Sequence, residues 1–180
     1  MSPKLTFAVL TAAVAAVVAV SGEAQQAPAA AAPYALDEVP EKMPFDIPYG
    51  APIPLARAAA AIEATVAEAK KHDWKLNVAV VDSGGNLVAF QRMDGAQLAS
   101  IQIAEHKART AVQFRRETKV FEKGIQQSGS LYVMTLDGVI GSRGGMPLIA
   151  DGRVIGAIGC SGGTGSQDEV ACKAGVATIK

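Results

Sequence analysis

The chain has 180 residues, a formal net charge of zero and only 5% aromatic residues. The length suits one domain of ordinary size rather than two, and the charge balance excludes a global field drawing the protein to nucleic acid or acidic lipid. The abundance of Ala, Gly and Val points to close packing of small residues rather than to aromatic stacking surfaces.

The N-terminus reads as a targeting segment. Lys4 is followed by an apolar run from Leu5 to Val20 and then by Ser21-Gly22-Glu23-Ala24. A short basic start, a run of this length and small residues at the end fit a secretory signal peptide over residues 1–24, cleaved after Ala24. The run is short of the ~20 apolar residues usually needed to span a bilayer. The expected location is therefore periplasmic or secreted, with no membrane contact after cleavage. Residues 25–53 form an Ala- and Pro-rich stretch, expected as a linker or a strap over the domain, because each proline fixes φ and blocks helix continuation.

The folded part is expected over residues 54–180. Pro54 opens a helix in which Leu55, Ile62, Val66 and Ala69 fall along one stripe. His72 at its end suits the negative end of the helix dipole. Two β-rich runs, Val78 to Val81 and Leu87 to Phe90, flank Asp82-Ser83-Gly84-Gly85-Asn86 and predict a β-hairpin. "LASIQIAEHKARTAVQF" returns to helical spacing through Leu98, Ile101, Ala104, Ala108 and Ala111 or Val112, and a shorter helix is expected over Thr118 to Gln127. A strand is expected within Leu131 to Leu136 or over Val139 to Ser142. Asp151-Gly152 between apolar runs predicts a second hairpin. Ser166, with Glu169 three residues on, predicts the start of a closing helix. Hairpins rather than crossovers make this an α+β domain with a mainly antiparallel sheet flanked by helices.

No nucleophile elbow, P-loop, dinucleotide fingerprint or CxxC motif is present, and two histidines are few for a zinc site. Cys160 and Cys172 admit two readings, a disulfide in an oxidising compartment or two small buried hydrophobes. The expected strand end and diverging helix favour the second. Three glycine-rich corners remain: Arg92-Met93-Asp94-Gly95, Gly144-Gly145-Met146-Pro147 and Ser161-Gly162-Gly163. Glycines there either form turns or let a ligand reach backbone N–H groups, with Asp168 close by in sequence. His106 falls at the side of its helix; its neutral imidazole is able to ligate haem iron or a divalent metal. Met93 offers a thioether, or simply fills space.

The segments "VAVVDSGGNLVAFQRMDGAQLASIQIAEHKARTA", "GGMPLIADGRVIGAIGCSGG" and "QDEVACKAG" together resemble the GlcG/HbpS-like family, described as haem-degrading or haem-binding. The likeness runs from about Ile53 to Lys180, with the motifs in the same order. It implies a profilin-like α/β sandwich, a homo-oligomeric assembly and a small-molecule ligand, with haem as the candidate cofactor. Arg92, Met93, Asp94, Lys107, Thr110, Gly144, Gly145, Pro147, Ser161, Gly162, Gly163 and Asp168 match the recurring motif positions and are implied to share a pocket. His106 lies at a position the motif does not fix. The expectation is an exported haem- or tetrapyrrole-binding protein engaged in haem sensing or handling. The alternative is an enzyme or binder for a small organic hydroxy acid, held by Arg92 and glycine-corner N–H groups with Asp94 or Asp168 as acid or base.

Overall fold

A computed structural model describes residues 39, 41–43 and 45–180; the expected signal peptide and most of the Ala/Pro-rich stretch lie outside the described residues. Four strands, β1 (Asn77–Asp82), β2 (Leu87–Arg92), β3 (Gly145–Ala150) and β4 (Arg153–Ser161), form one antiparallel sheet in the order β2-β1-β4-β3. Both hairpins turn where Gly, Asn and Asp place them. The Asp82 carboxylate accepts from the backbone N–H groups of Gly84 (2.8 Å) and Asn86 (2.9 Å), closing the first turn. Asp151 and Gly152 both have positive φ, the conformation a two-residue hairpin requires. A bulge between Leu148 and Ile149 shifts the β3–β4 register.

The helices cover the sheet unequally. Helix α2 (Ala99–Gln113) lies alone on one face, while α1 (Leu55–Lys71) and α4 (Gly165–Val176) pack on the other. The face under α1 and α4 is lined by larger side chains, among them Ile62, Leu76, Val78, Val80, Leu148 and Ile158. The face under α2 is made of Ala79, Ala104, Ala108, Ala111 and Ala157 with Val81, Val112 and Val154. Small residues there let the α2 backbone settle onto β4. A side chain at Gly159 would strike the Ala104 carbonyl oxygen and stand 2.6 Å from the Ala108 nitrogen. Gly175 plays the same part between α1 and α4, where a methyl group would strike Thr65 and sit 2.7 Å from the Ala61 carbonyl.

Helix α3 (Thr118–Gln127) falls where the sequence pattern places it. Four expectations are corrected. Leu55 and Leu98, assigned to buried stripes, are 63% and 71% exposed because each stands at the first turn, beyond the edge of the sheet that the rest of the stripe covers. Residues Leu131–Thr135 form a 3-10 helix and Val139 to Ser142 no strand, so the sheet has four strands. The capping box of α4 is built by Thr164 and Gln167 rather than by Ser166 and Glu169, which lie inside the helix. Cys160 and Cys172 are bonded to each other, with Cα atoms 5.9 Å apart. Helix α4 packs back against β4 instead of diverging from it, so its first turns return past the strand end.

Ahead of α1, the chain from Pro48 to Ile53 runs beside the start of β4. Val154 N–H donates to the Pro48 carbonyl and Gly50 N–H to the Val154 carbonyl, both at 2.9 Å, and Ile53 N–H donates to the Ile155 carbonyl at 2.8 Å. Ile53 is buried in the core under α1.

Replacing Gly159 by Ala is expected to lower unfolding free energy by about 3 kcal/mol, since α2 must lift from β4. Gly152→Ala meets no neighbouring atom and carries only the left-handed backbone penalty of roughly 1–2 kcal/mol. Urea denaturation of both variants beside the parent chain checks the ranking.

Candidate functional site

Antiparallel pairing brings the three glycine corners to one end of the sheet. Asn77, at the start of β1, is opposite Arg92 on one side and Ser161 on the other, and Gly145 is opposite Gly159. Between the corners stands a buried ion pair. Lys107 of α2, 1% exposed, donates to an Asp168 carboxylate oxygen of α4 at 2.8 Å and to the Cys160 carbonyl at 3.0 Å. The other carboxylate oxygen accepts from Gly163 N–H at 3.0 Å, and Gly162 N–H adds a further bond. Asp168 also stands in the first turn of α4, where the helix dipole favours a negative charge. Burial pushes its carboxyl above the usual carboxylate range, while Lys107 and the glycine N–H groups pull against it.

The glycines around this pair leave no empty space. A side chain on Gly144, whose φ is +109°, would stand 2.8 Å from the Asp168 Cβ and 3.2 Å from the Lys107 Nζ. One on Gly145 would strike the Lys107 carbonyl, one on Gly162 the Lys75 carbonyl, and one on Gly163 would lie 2.7 Å from the Gln167 side-chain oxygen. The missing side chains are thus replaced by the protein's own atoms. Lys107, Gly144, Gly145, Ser161, Gly162, Gly163 and Asp168 come together as a closed polar knot that binds itself.

The remaining residues of the expected pocket are placed apart from the knot. Arg92, Met93 and Asp94 come together at one open cleft of about 410 Å³, with Val66, Lys70, Lys75 and Gln91; Arg92 and Asp94 are exposed, while most of Met93 is buried in the core beneath α1. Thr110 is buried on α2, where its hydroxyl donates to the Gly138 carbonyl (2.7 Å) and accepts from Ile140 N–H (3.2 Å), pinning the segment before β3. Pro147 is half-buried within β3 opposite Ala157. His106 is half-buried at a separate cleft of about 480 Å³ with Gln102, Glu105, Arg109, Gln113 and Gly138. Arg109 and Glu105 pair across its lining at 2.9 Å. No three His, Cys, Asp or Glu side chains among the described residues are grouped to hold a metal ion.

Two features escape sequence reading. One is a network linking α3, the chain before β3, and α4. Glu122 accepts from the Arg143 backbone and side chain (2.7 Å each), and Glu169 accepts from Lys119 and Lys173 (2.7 Å each). Burial works to raise both carboxyls, but Arg143 at Glu122 and the two lysines at Glu169 outweigh it and hold them below their ordinary value. The other is a cleft of about 530 Å³ between α3 and the 3-10 segment, walled by Phe45, Phe114, Phe121, Tyr132, Val120 and Val133, with Arg116 and Lys123 also in its lining. The Arg116 guanidinium lies 3.2 Å from the Phe45 ring centroid, a cation–π contact. The spacing of the four aromatic residues carries no periodic signal, and Phe45 reaches the cleft from outside the folded core segment.

Residues 53–177 match the family model described as haem degrading protein HbpS-like. Protein GlcG of Escherichia coli is 41% identical over 104 residues, covering 58% of this chain and 77% of GlcG. The crystal structure of a double mutant of Streptomyces reticuli HbpS has a TM-score of 0.66 at 32% identity, over 85% of this chain and 99% of that one. The structure of a PduOC:haem complex has a TM-score of 0.65 at 28% identity, over 72% of this chain and 96% of that one.

Breaking the buried pair by Lys107→Met is expected to cost about 3–5 kcal/mol of stability. Without Lys107, burial raises the Asp168 carboxyl further above its unfolded value. A raised folded value means stability is fully present below the ordinary carboxylate range and lost as pH rises through the folded value. The parent's own Asp168 is already raised, so the stability gap between variant and parent should widen by about 1.4 kcal/mol per pH unit only between the parent's folded value and the variant's higher one, as read by urea denaturation at a series of pH values.

Proposed function

The chain belongs to the HbpS-like family, and from that premise we propose that it is an exported protein that binds haem or a related tetrapyrrole. The observation that carries the reading is the aromatic cleft. The sequence has five Phe, three Tyr and one Trp, and three of the Phe with one Tyr line this one cleft. A tetrapyrrole needs a flat apolar wall for its ring and cations for its carboxylates. The cleft offers aromatic and aliphatic side chains, with Val120 and Val133 beside the rings, and has Arg116 and Lys123 in the same lining. The polar knot does not fit such a ligand, because it is filled. The His106 cleft fits less well, because its lining has no Phe, Tyr, Trp or aliphatic side chain and a porphyrin there would desolvate Glu105 and Arg109.

Export is supported by the basic start, apolar run and small residues of the first 24 positions and by the Cys160–Cys172 disulfide, a bond that persists in oxidising compartments. No helix among the described residues is long and apolar enough to cross a membrane.

Titration of the purified protein with hemin is expected to give a saturable Soret band, and Val120→Glu, which sets a carboxylate in the cleft wall, should weaken it by about tenfold, roughly 1.4 kcal/mol. Unchanged spectra on adding hemin, or unaltered binding by Val120→Glu, would remove the support for this reading. The native protein recovered from its host should have the mass of residues 25–180 less two hydrogens; a full-length mass with two free thiols would refute export.

A further inference from the structure

We infer that the cleft at the Arg92–Asp94 corner is a second binding site, for small organic dicarboxylates that also carry a hydroxyl group. It does not rest on the haem reading, since this cleft and the aromatic one share no lining residue. Its volume of about 410 Å³ suits a small organic molecule.

Three parts of the chain build it. Lys70 comes from the last turn of α1, Lys75 from the connection to β1, and Gln91 and Arg92 from the end of β2. The corner after β2 is held against that connection. Met93 N–H donates to the Leu76 carbonyl at 3.0 Å. Gly95, with φ of +85° ruled out and +80° adopted, folds the corner back until a side chain there would lie 3.6 Å from the Lys75 Cγ. Val66 and Met93 are the buried members of the lining, and the polar members are exposed.

The charges select the ligand. The lining carries three cations, Lys70, Lys75 and Arg92, against one carboxylate, Asp94. Lys75 donates to the Asp73 carboxylate, whose side chain is 89% exposed. Lys70, Arg92 and Asp94 form no ion pair among the described residues. Unpaired cations are thus concentrated at one concave place in a chain whose formal net charge is zero. Two free cations match two carboxylates, and the Arg92 guanidinium is suited to take one through parallel N–H donors. The Asp94 carboxylate only accepts when ionised, so it repels a third anionic group and favours a hydroxyl donor. Val66 and Met93 suit a short carbon chain between the charged ends, which inorganic phosphate lacks.

The test is a titration of the purified protein at fixed ionic strength, following the backbone amide signals of residues 91–95 by NMR. The probes are L-malate, succinate, which lacks only the hydroxyl, and inorganic phosphate. Malate should shift these signals saturably, and succinate and phosphate should each bind about fivefold more weakly. Lys70→Gln and Arg92→Gln should each weaken malate binding by about fivefold, the size expected of an exposed charged contact. Asp94→Ala should remove the preference for malate over succinate. Arg153→Gln, which removes a cation at another cleft, should bind malate as the parent does, and so should Val120→Glu. The site is overturned if malate gives no saturable shift, if Lys70→Gln and Arg92→Gln both bind it like the parent, or if Arg153→Gln weakens it equally. Succinate or phosphate binding as tightly as malate overturns the ligand class. None of these outcomes depends on whether the protein binds hemin.

Discussion

The ion pair between Lys107 and Asp168 is the constraint around which one end of the molecule is arranged. The two residues come from helices on opposite faces of the sheet, and they meet at 2.8 Å beside the last residues of β4. Taking both charges out of water is costly, and the arrangement holds only because their other hydrogen-bonding positions are met by the Cys160 carbonyl and two glycine N–H groups. Those groups must come very close, so Gly144, Gly145, Gly162 and Gly163 carry no side chain. The disulfide from Cys160 to Cys172 fastens the same strand end to the same helix. Helix position, strand end and loop shape are therefore set by one electrostatic requirement.

This shifts the meaning of the glycine-rich motifs. Read along the chain, they suggest backbone open to a ligand. In three dimensions they are the points where helices and loops press on the sheet. The motif residues at Gly144–Gly145 and Gly162–Gly163 form scaffold, and open clefts lie elsewhere: at Arg92–Asp94, at His106 and between α3 and the 3-10 segment. Thr110 and the Glu122–Arg143–Glu169 network connect the knot with the last of these, Thr110 by fixing the chain at Gly138 and Ile140, and the network by tying α3 to α4. The aromatic cleft thus rests on elements whose positions the knot and the network determine.

Much of the fold is legible in the sequence where local rules act alone. The Asp82–Asn86 and Asp151-Gly152 turns, the β-rich run of β1 and helix α3 follow from backbone chemistry and periodicity. Failures occur where a distant partner decides. Leu55 and Leu98 obey the helical period but project past the sheet. The run Leu131–Thr135 is apolar enough for a strand yet has no neighbouring strand edge to pair with. Thr164 outcompetes Ser166 as the cap because the chain is already committed to helix one residue after it. The cysteines pair because α4 folds back onto β4, which no spacing rule states.

By itself the sequence determined the element types, the two hairpins and hence an antiparallel sheet, the small-residue character of the α2 interface and the family to which the chain belongs. These depend on backbone preferences and on hydrophobic periods of two and 3.6 residues, which a few neighbouring residues contain. Only the tertiary structure decided that the Gly144–Gly145 and Gly162–Gly163 corners are filled, that Arg92, Met93 and Asp94 share an open cleft, that His106 opens onto a separate one and that Phe45, Phe114, Phe121 and Tyr132 converge. Each of these depends on which surfaces meet across 30 or more residues of intervening chain or on what already occupies the space between them, and that is fixed by packing and by the balance of charge burial against pairing rather than by any local pattern.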